Sequence, residues 1–161
     1  MTNTSNDITT AERAYENLEG LSHSDIEEFW VLALGPKKSL ISSKMIFRGT
    51  VDSCLVHPRD IFRFACQANA SSVLIAHNHP SGDLIPSYED LRFTQQIVSA
   101  SALMQIPVVD HLIVTRTGYT SLRVDGWCEF LSEGPPHATG LNEDESLYSP
   151  VPSSTLPGPR L

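Results

Sequence analysis

Long apolar runs, paired cysteines and positive charge are all scarce in this chain. The longest apolar stretch, Phe29 to Leu34, falls far short of the roughly 20 residues that cross a bilayer, and the opening MTNTSNDITT has neither the basic nor the apolar block of a secretory signal. A soluble, cytoplasmic protein without membrane contact is therefore expected. Three cysteines, Cys54, Cys66 and Cys128, are an odd number at wide spacing, which excludes a disulfide framework and a CxxC metal knuckle. They read as reduced core residues. With 11 Lys and Arg against 19 Asp and Glu, the net charge of -8 argues against a protein that gains its main affinity by neutralising nucleic-acid phosphates.

What is present suffices for one domain. A chain of 161 residues, 40% of them hydrophobic, can bury a real core, and a second full domain is not expected. From Glu133 onward six of the 11 prolines are interleaved with Gly, Ser and the acidic Glu143, Asp144 and Glu145, a composition too polar to order itself. Residues 133–161 thus read as a disordered tail and 1–10 as a flexible N-terminus, which leaves 11–132 as the domain.

Within it, Ala11 to Leu18 has helix-forming composition, and Glu28 to Leu34 reads as a buried strand ended by Gly35-Pro36. Ser39 to Phe47 returns as a second strand, and Val51 to Val56 reads as a shorter third. Pro58 suits the first turn of a helix whose Ile61, Phe64, Ala65 and Ala68 share one face. Ser71 to Ala76 turns wholly apolar from Val73, as a central strand does, and stops at a polar loop from His77 to Pro86. A helical pattern starts at Ser87, with Leu91, Phe93, Thr94, Ile97, Val98 and Leu103 inward. Ile106 to Thr115 forms the next strand, Thr117-Gly118 turns, Tyr119 to Val124 pairs back, and Trp127, Phe130 and Leu131 close the core. The sum is an α/β domain, a mixed sheet between two main helices.

Chemistry concentrates between His77 and Asp90. Two histidines two apart on extended chain project to the same side, so both imidazoles can reach one metal ion, and the loop with Gly82 can fold the helix start, with Asp90, back toward them. Two imidazoles and one carboxylate leave a fourth tetrahedral position open for water, the arrangement of catalytic rather than structural zinc. Ser87 and Asp90 by themselves have a plainer explanation, a capping box at the helix start. It does not account for His77-x-His79-Pro80 upstream.

The joint spacing His-x-His-x7-Ser-x2-Asp, with His77-Asn-His-Pro-Ser-Gly82 and Pro86-Ser87, resembles the signature of the JAMM/MPN metalloproteases in their bacterial RadC-like form. Phe47-Arg-Gly-Thr-Val51, Val56-His-Pro-Arg59, Val109-Asp-His-Leu-Ile-Val114 and Tyr119-Thr-Ser-Leu122 extend the resemblance from about Ile26 to Asp125. It implies a single MPN/JAMM-like (cytidine-deaminase-like) α/β domain that binds Zn²⁺ through His77, His79 and Asp90. It also implies hydrolysis of a peptide or isopeptide by a zinc-activated water, with Ser87 steadying the oxyanion and a glutamate at the start of an early strand as general base.

For that base Glu28 is preferred over Glu27 because it abuts the apolar run; side chains alternate along a strand, so only one of the two can face the site. The plainer alternative makes both solvated carboxylates at a strand entrance. Asp110 and His111 offer either support for a metal-bound imidazole or, the favoured reading, a buried structural pair. Salt bridges are favoured for Arg59 and Arg63, a helix-entry position for His57, and no role is demanded of Asn78. The helix-hairpin-helix domain common in the family has no room in the 27 residues before Glu28, and Asp60 stands where the family often has Glu. Both that gap and the acidic balance weaken a DNA-repair role; the rival expectation is a non-hydrolytic, metal-stabilised module, scaffolding or DNA-repair-associated, with at most weak DNA association.

Overall fold

The computed structural model describes residues 6–49 and 56–131. The strand expected over 51–56, apart from Val56, lies outside the described residues, as do Cys54 and the tail expected over 133–161. The helices are α1 (Ala11–Glu16), α2 (Glu19–Ser22), α3 (Pro58–Gln67) and α4 (Tyr88–Met104); the strands are β1 (Glu27–Leu34), β2 (Leu40–Gly49), β3 (Ser72–Asn78), β4 (Val108–Thr115) and β5 (Gly118–Ser121). The strands form one mixed five-stranded sheet in the order β2-β1-β3-β4-β5. Among the described residues only β3 and β4 run parallel, because α4 carries the chain from the end of one back to the start of the other. This is the small α/β domain expected, a mixed sheet flanked by helices.

Each sheet face has its own core. On one, Phe29, Val31, Val73 and Ile75 pack against Ile61, Phe62 and Ala65 of α3 and Phe93, Ile97 and Val98 of α4. On the other, Leu32, Leu34, Leu74, Ala76 and Leu112 pack against Ala14, Leu18 and Leu21 beside α1 and α2. Both faces of the middle of the sheet are covered, so β3 and β4 are buried along their whole length. Among the described residues no helix is long and apolar enough to cross a membrane.

Several local expectations are corrected. Residues 6–10, inside the segment read as flexible, are tied down: Asp7 bridges Ser39, the Ile8 N–H donates to the Lys38 carbonyl, and Ile8 is buried. Leu103 is 90% exposed. Ser101 occupies the inward position of that turn, and two residues on is roughly 200° around the helix. Trp127 and Leu131 are exposed, and Cys128 takes the inner place against Ile113 and Leu122. Cys66 is exposed rather than core. Arg59 and Arg63 both lie within ion-pair distance of Asp60, the salt bridges favoured from the sequence.

Candidate metal centre

The candidate site lies at the C-terminal end of β3. His77 pairs in register with Phe29 of β1, and its ring stacks on the Phe29 ring at 6.3 Å, so its side chain stands on the α4 side of the sheet. His79 follows just beyond the strand. Asp90 reaches them from the first turn of α4, whose start is fixed by Ser87: the Asp90 N–H donates to Ser87 Oγ, and the Ser87 N–H donates to the Asp90 carboxylate. The two explanations weighed for Ser87 and Asp90 thus share one geometry, since the capping box aims the carboxylate at the histidines. Gly82, at φ +83°, supplies the left-handed residue that lets the loop between them turn.

His77 Nε2 lies 3.0 Å from His79 Nε2 and 3.1 Å from Asp90 Oδ1, while His79 Nε2 lies 3.3 Å from Asp90 Oδ2. One ligand atom from each residue can be chosen so that all fall within 4.8 Å of one another, and the group could hold a metal ion. Tetrahedral zinc with bonds of about 2.0–2.1 Å sets its ligand atoms about 3.3 Å apart, close to these separations. The donor set, two imidazole nitrogens and a carboxylate oxygen, suits zinc as well. The residues therefore fit a single small divalent cation.

Electrostatics agree with a cation site. Burial would raise the Asp90 carboxyl, yet the imidazoles of His77 and His79 facing it and the Ser87 N–H it accepts from hold it well below the usual carboxylate range. The neighbouring Asp90 carboxylate in turn raises the His79 imidazole, against desolvation. His79 Nδ1 faces the Asp83 carbonyl at 2.8 Å; a carbonyl only accepts, so Nδ1 carries the proton and Nε2 is left for the cluster.

The two adjacent glutamates separate as alternation requires, but in the opposite sense to the sequence reading. Glu28 is buried on the far face of the sheet. Its carboxylate accepts from Ser24 Oγ at 3.0 Å and Trp30 Nε1 at 2.9 Å and pairs with Arg48 Nε at 3.4 Å, while the Glu28 N–H donates to Asn78 Oδ1. Glu27 is on the histidine side. Burial pushes its carboxyl up, His77 and His79 draw it down, and Asp90 raises it again, so it lies within the field of all three. It lines an open cleft of about 430 Å³ with His79, Ser81, Asp83, Ile85 and Ser87. The expectation that Glu28 faces the site is corrected: Glu27 stands on the histidine side, because the Phe29–His77 pairing fixes the phase of β1.

The Asp110–His111 pair divides across the sheet. Asp110 caps chain beyond β4, accepting from Ser121 Oγ, the Arg123 N–H and the His111 N–H. The His111 ring enters the site from behind, with Nε2 2.8 Å from His77 Nδ1 and Nδ1 2.6 Å from Thr94 Oγ1. The sequence marks Thr94 only as an inward helix position; its place one turn after Asp90 is the signal that links it to the site.

Residues 8–127 match the RadC-like JAB domain family. A UPF0758 protein of Symbiobacterium thermophilum is 43% identical over 106 residues, covering 66% of this chain and 45% of the relative. One from Thermosynechococcus vestitus is 53% identical over 97 residues, 60% of this chain and 39% of the relative, and one from Thermotoga maritima is 39% identical over 119 residues, 74% and 54%. The chain spans about half the length of the curated relatives it matches.

Proposed function

The chain belongs to the RadC-like JAB domain family, and on that premise we propose that it is a zinc-dependent metallohydrolase, a peptidase or isopeptidase, with Zn²⁺ held by His77, His79 and Asp90. The observation that carries this reading is the convergence of two imidazole nitrogens and a carboxylate at separations that fit one tetrahedral cation. His77, His79 and Asp90 would hold the ion, which would supply Lewis acidity toward an amide carbonyl and toward water.

The chain's own residues supply the remainder. Glu27, at the wall of the cleft, takes the proton of the attacking water on its carboxylate and returns it to the leaving nitrogen. Its carboxyl is raised by burial, which brings its basicity closer to neutral pH than that of a solvated glutamate. Ser87 Oγ accepts from the Asp90 N–H, so its own O–H is available to donate to the oxygen that gains charge as the amide is attacked. An extended peptide suits an open cleft walled by the exposed Ile85 and by Asp83.

Two measurements test the proposal. Purified protein should contain close to one zinc per chain, which His77→Ala and Asp90→Ala should each abolish. Zinc-loaded protein should cleave members of a peptide and isopeptide library. Wild-type protein that takes up no zinc when offered it ends the proposal; zinc uptake without cleavage reduces it to a metal-stabilised module.

A further inference from the structure

We propose that His111 and Thr94 are positioning residues that lock His77 in its Nδ1–H tautomer and so aim its Nε2 lone pair at the cation site. The inference rests on the metal-site reading above and extends it to two side chains that touch neither cation nor substrate.

The direction of the hydrogen bonds carries the argument. Thr94 Oγ1 lies 2.6 Å from the backbone carbonyl of Asp90, which can only accept, so the hydroxyl proton points there. Having no second proton, Thr94 Oγ1 must accept from His111 Nδ1, also 2.6 Å away. His111 is 1% exposed, and among the described residues its ring nitrogens bond to Thr94 and His77, neither of them an anion, so the ring is neutral and its Nε2 is an acceptor. His77 Nδ1, 2.8 Å from that nitrogen, must then carry a proton, and His77 Nε2 is bare. It faces His79 Nε2 at 3.0 Å and Asp90 Oδ1 at 3.1 Å.

The path starts at the Asp90 carbonyl and ends at the Asp90 carboxylate, so one residue of α4 sets both ends. His79 is held in the same tautomer by a carbonyl directly, that of Asp83. His77, deeper in the sheet, reaches its carbonyl through two intermediates. A β-bulge makes this reachable. Val73 pairs with Val108 and Leu74 with Asp110, so Val109 is the extra residue. It advances the alternation of β4 by one and brings His111 to the face of Ile75 and His77.

The test measures zinc affinity by chelator competition in wild-type protein, Thr94→Val, Thr94→Ser and His111→Phe, beside the melting temperature of each metal-free protein. Thr94→Val and His111→Phe should weaken zinc binding by about ten- to a hundredfold, and Thr94→Ser, which keeps the hydroxyl, should restore it to near wild type. A merely structural role would lower the metal-free melting temperature and leave zinc affinity unchanged, which overturns the inference. Should a variant fail to fold, long-range ¹H–¹⁵N spectra of the zinc-loaded wild type decide: a proton on His77 Nδ1 with zinc at Nε2 supports it, and the reverse assignment overturns it. Wild-type protein that binds no zinc sinks the metal reading and this inference together; tight wild-type binding with unaltered affinity in Thr94→Val sinks this inference alone.

Discussion

Exchanging the adjacent glutamates one at a time should separate a fold-holding carboxylate from a reaction-bearing one. In Glu28→Ala, Trp30 Nε1 loses its acceptor beneath a side chain that is 12% exposed, while Ser24 Oγ keeps the Ile26 carbonyl at 2.8 Å. Stranding such a donor costs about 1–3 kcal/mol. Loss of the ion pair, whose Arg48 side is 55% exposed, adds at most about 1 kcal/mol. The expected total is about 2–3 kcal/mol, read by thermal denaturation as a melting temperature lower by about 6–15 °C. Glu27→Ala removes a carboxylate that burial already disfavours and should change stability by less than about 0.5 kcal/mol. Turnover should divide the other way in the isosteric pair: Glu27→Gln lowers it by about 10²–10⁴-fold with zinc retained, and Glu28→Gln leaves it close to wild type. An unchanged melting temperature in Glu28→Ala, or loss of turnover in Glu28→Gln with retention in Glu27→Gln, would refute the assignment.

Two further outcomes are expected. Burial and the neighbouring His77 hold the His111 imidazole well below its ordinary value, with Asp90 opposing. Above the unfolded value of 6.5 neither state binds the proton; below it the unfolded chain does and the fold does not, so stability falls with pH. In urea titrations of metal-free protein the advantage of wild type over His111→Asn should shrink by up to about 1.4 kcal/mol for each pH unit below 6.5, and parallel curves would contradict a neutral buried ring. His79, raised by Asp90, contributes oppositely, its share complete below 6.5 and lost as pH rises through its elevated value. Separately, Gly82→Ala must adopt φ +83° without steric relief, a cost of about 1–2 kcal/mol localised in the loop whose Asp83 carbonyl orients His79. It should weaken zinc binding more than it lowers the metal-free melting temperature; equal effects would show that the loop does not set the ligand.

Much of this molecule was readable along the chain because its signals are local. The separation of His77 and His79 by one residue puts both on one side of any extended segment, and Ser87 and Asp90 announce a helix start whose capping geometry delivers the carboxylate. The apolar run from Val73 to Ala76 and the inward series Phe93, Thr94, Ile97 and Val98 likewise identify a covered strand and the helix over it. The exceptions fell where periodicity loses its phase, as at the end of α4, where Leu103 continued an apolar pattern but Ser101 held the inward place.

The sequence by itself determined the element types, the α/β class and the residues able to meet at one cation, all consequences of spacing along a few neighbouring turns. Only the tertiary structure decided which glutamate faces them and that His111 and Thr94 stand behind His77. Alternation states that Glu27 and Glu28 oppose each other, but with Phe29, Val31, Leu32 and Leu34 buried on both faces nothing in β1 itself marks the side of the site. That choice is made by pairing with β3, and the place of His111 by one extra residue in β4, both set by contacts between strands distant in sequence.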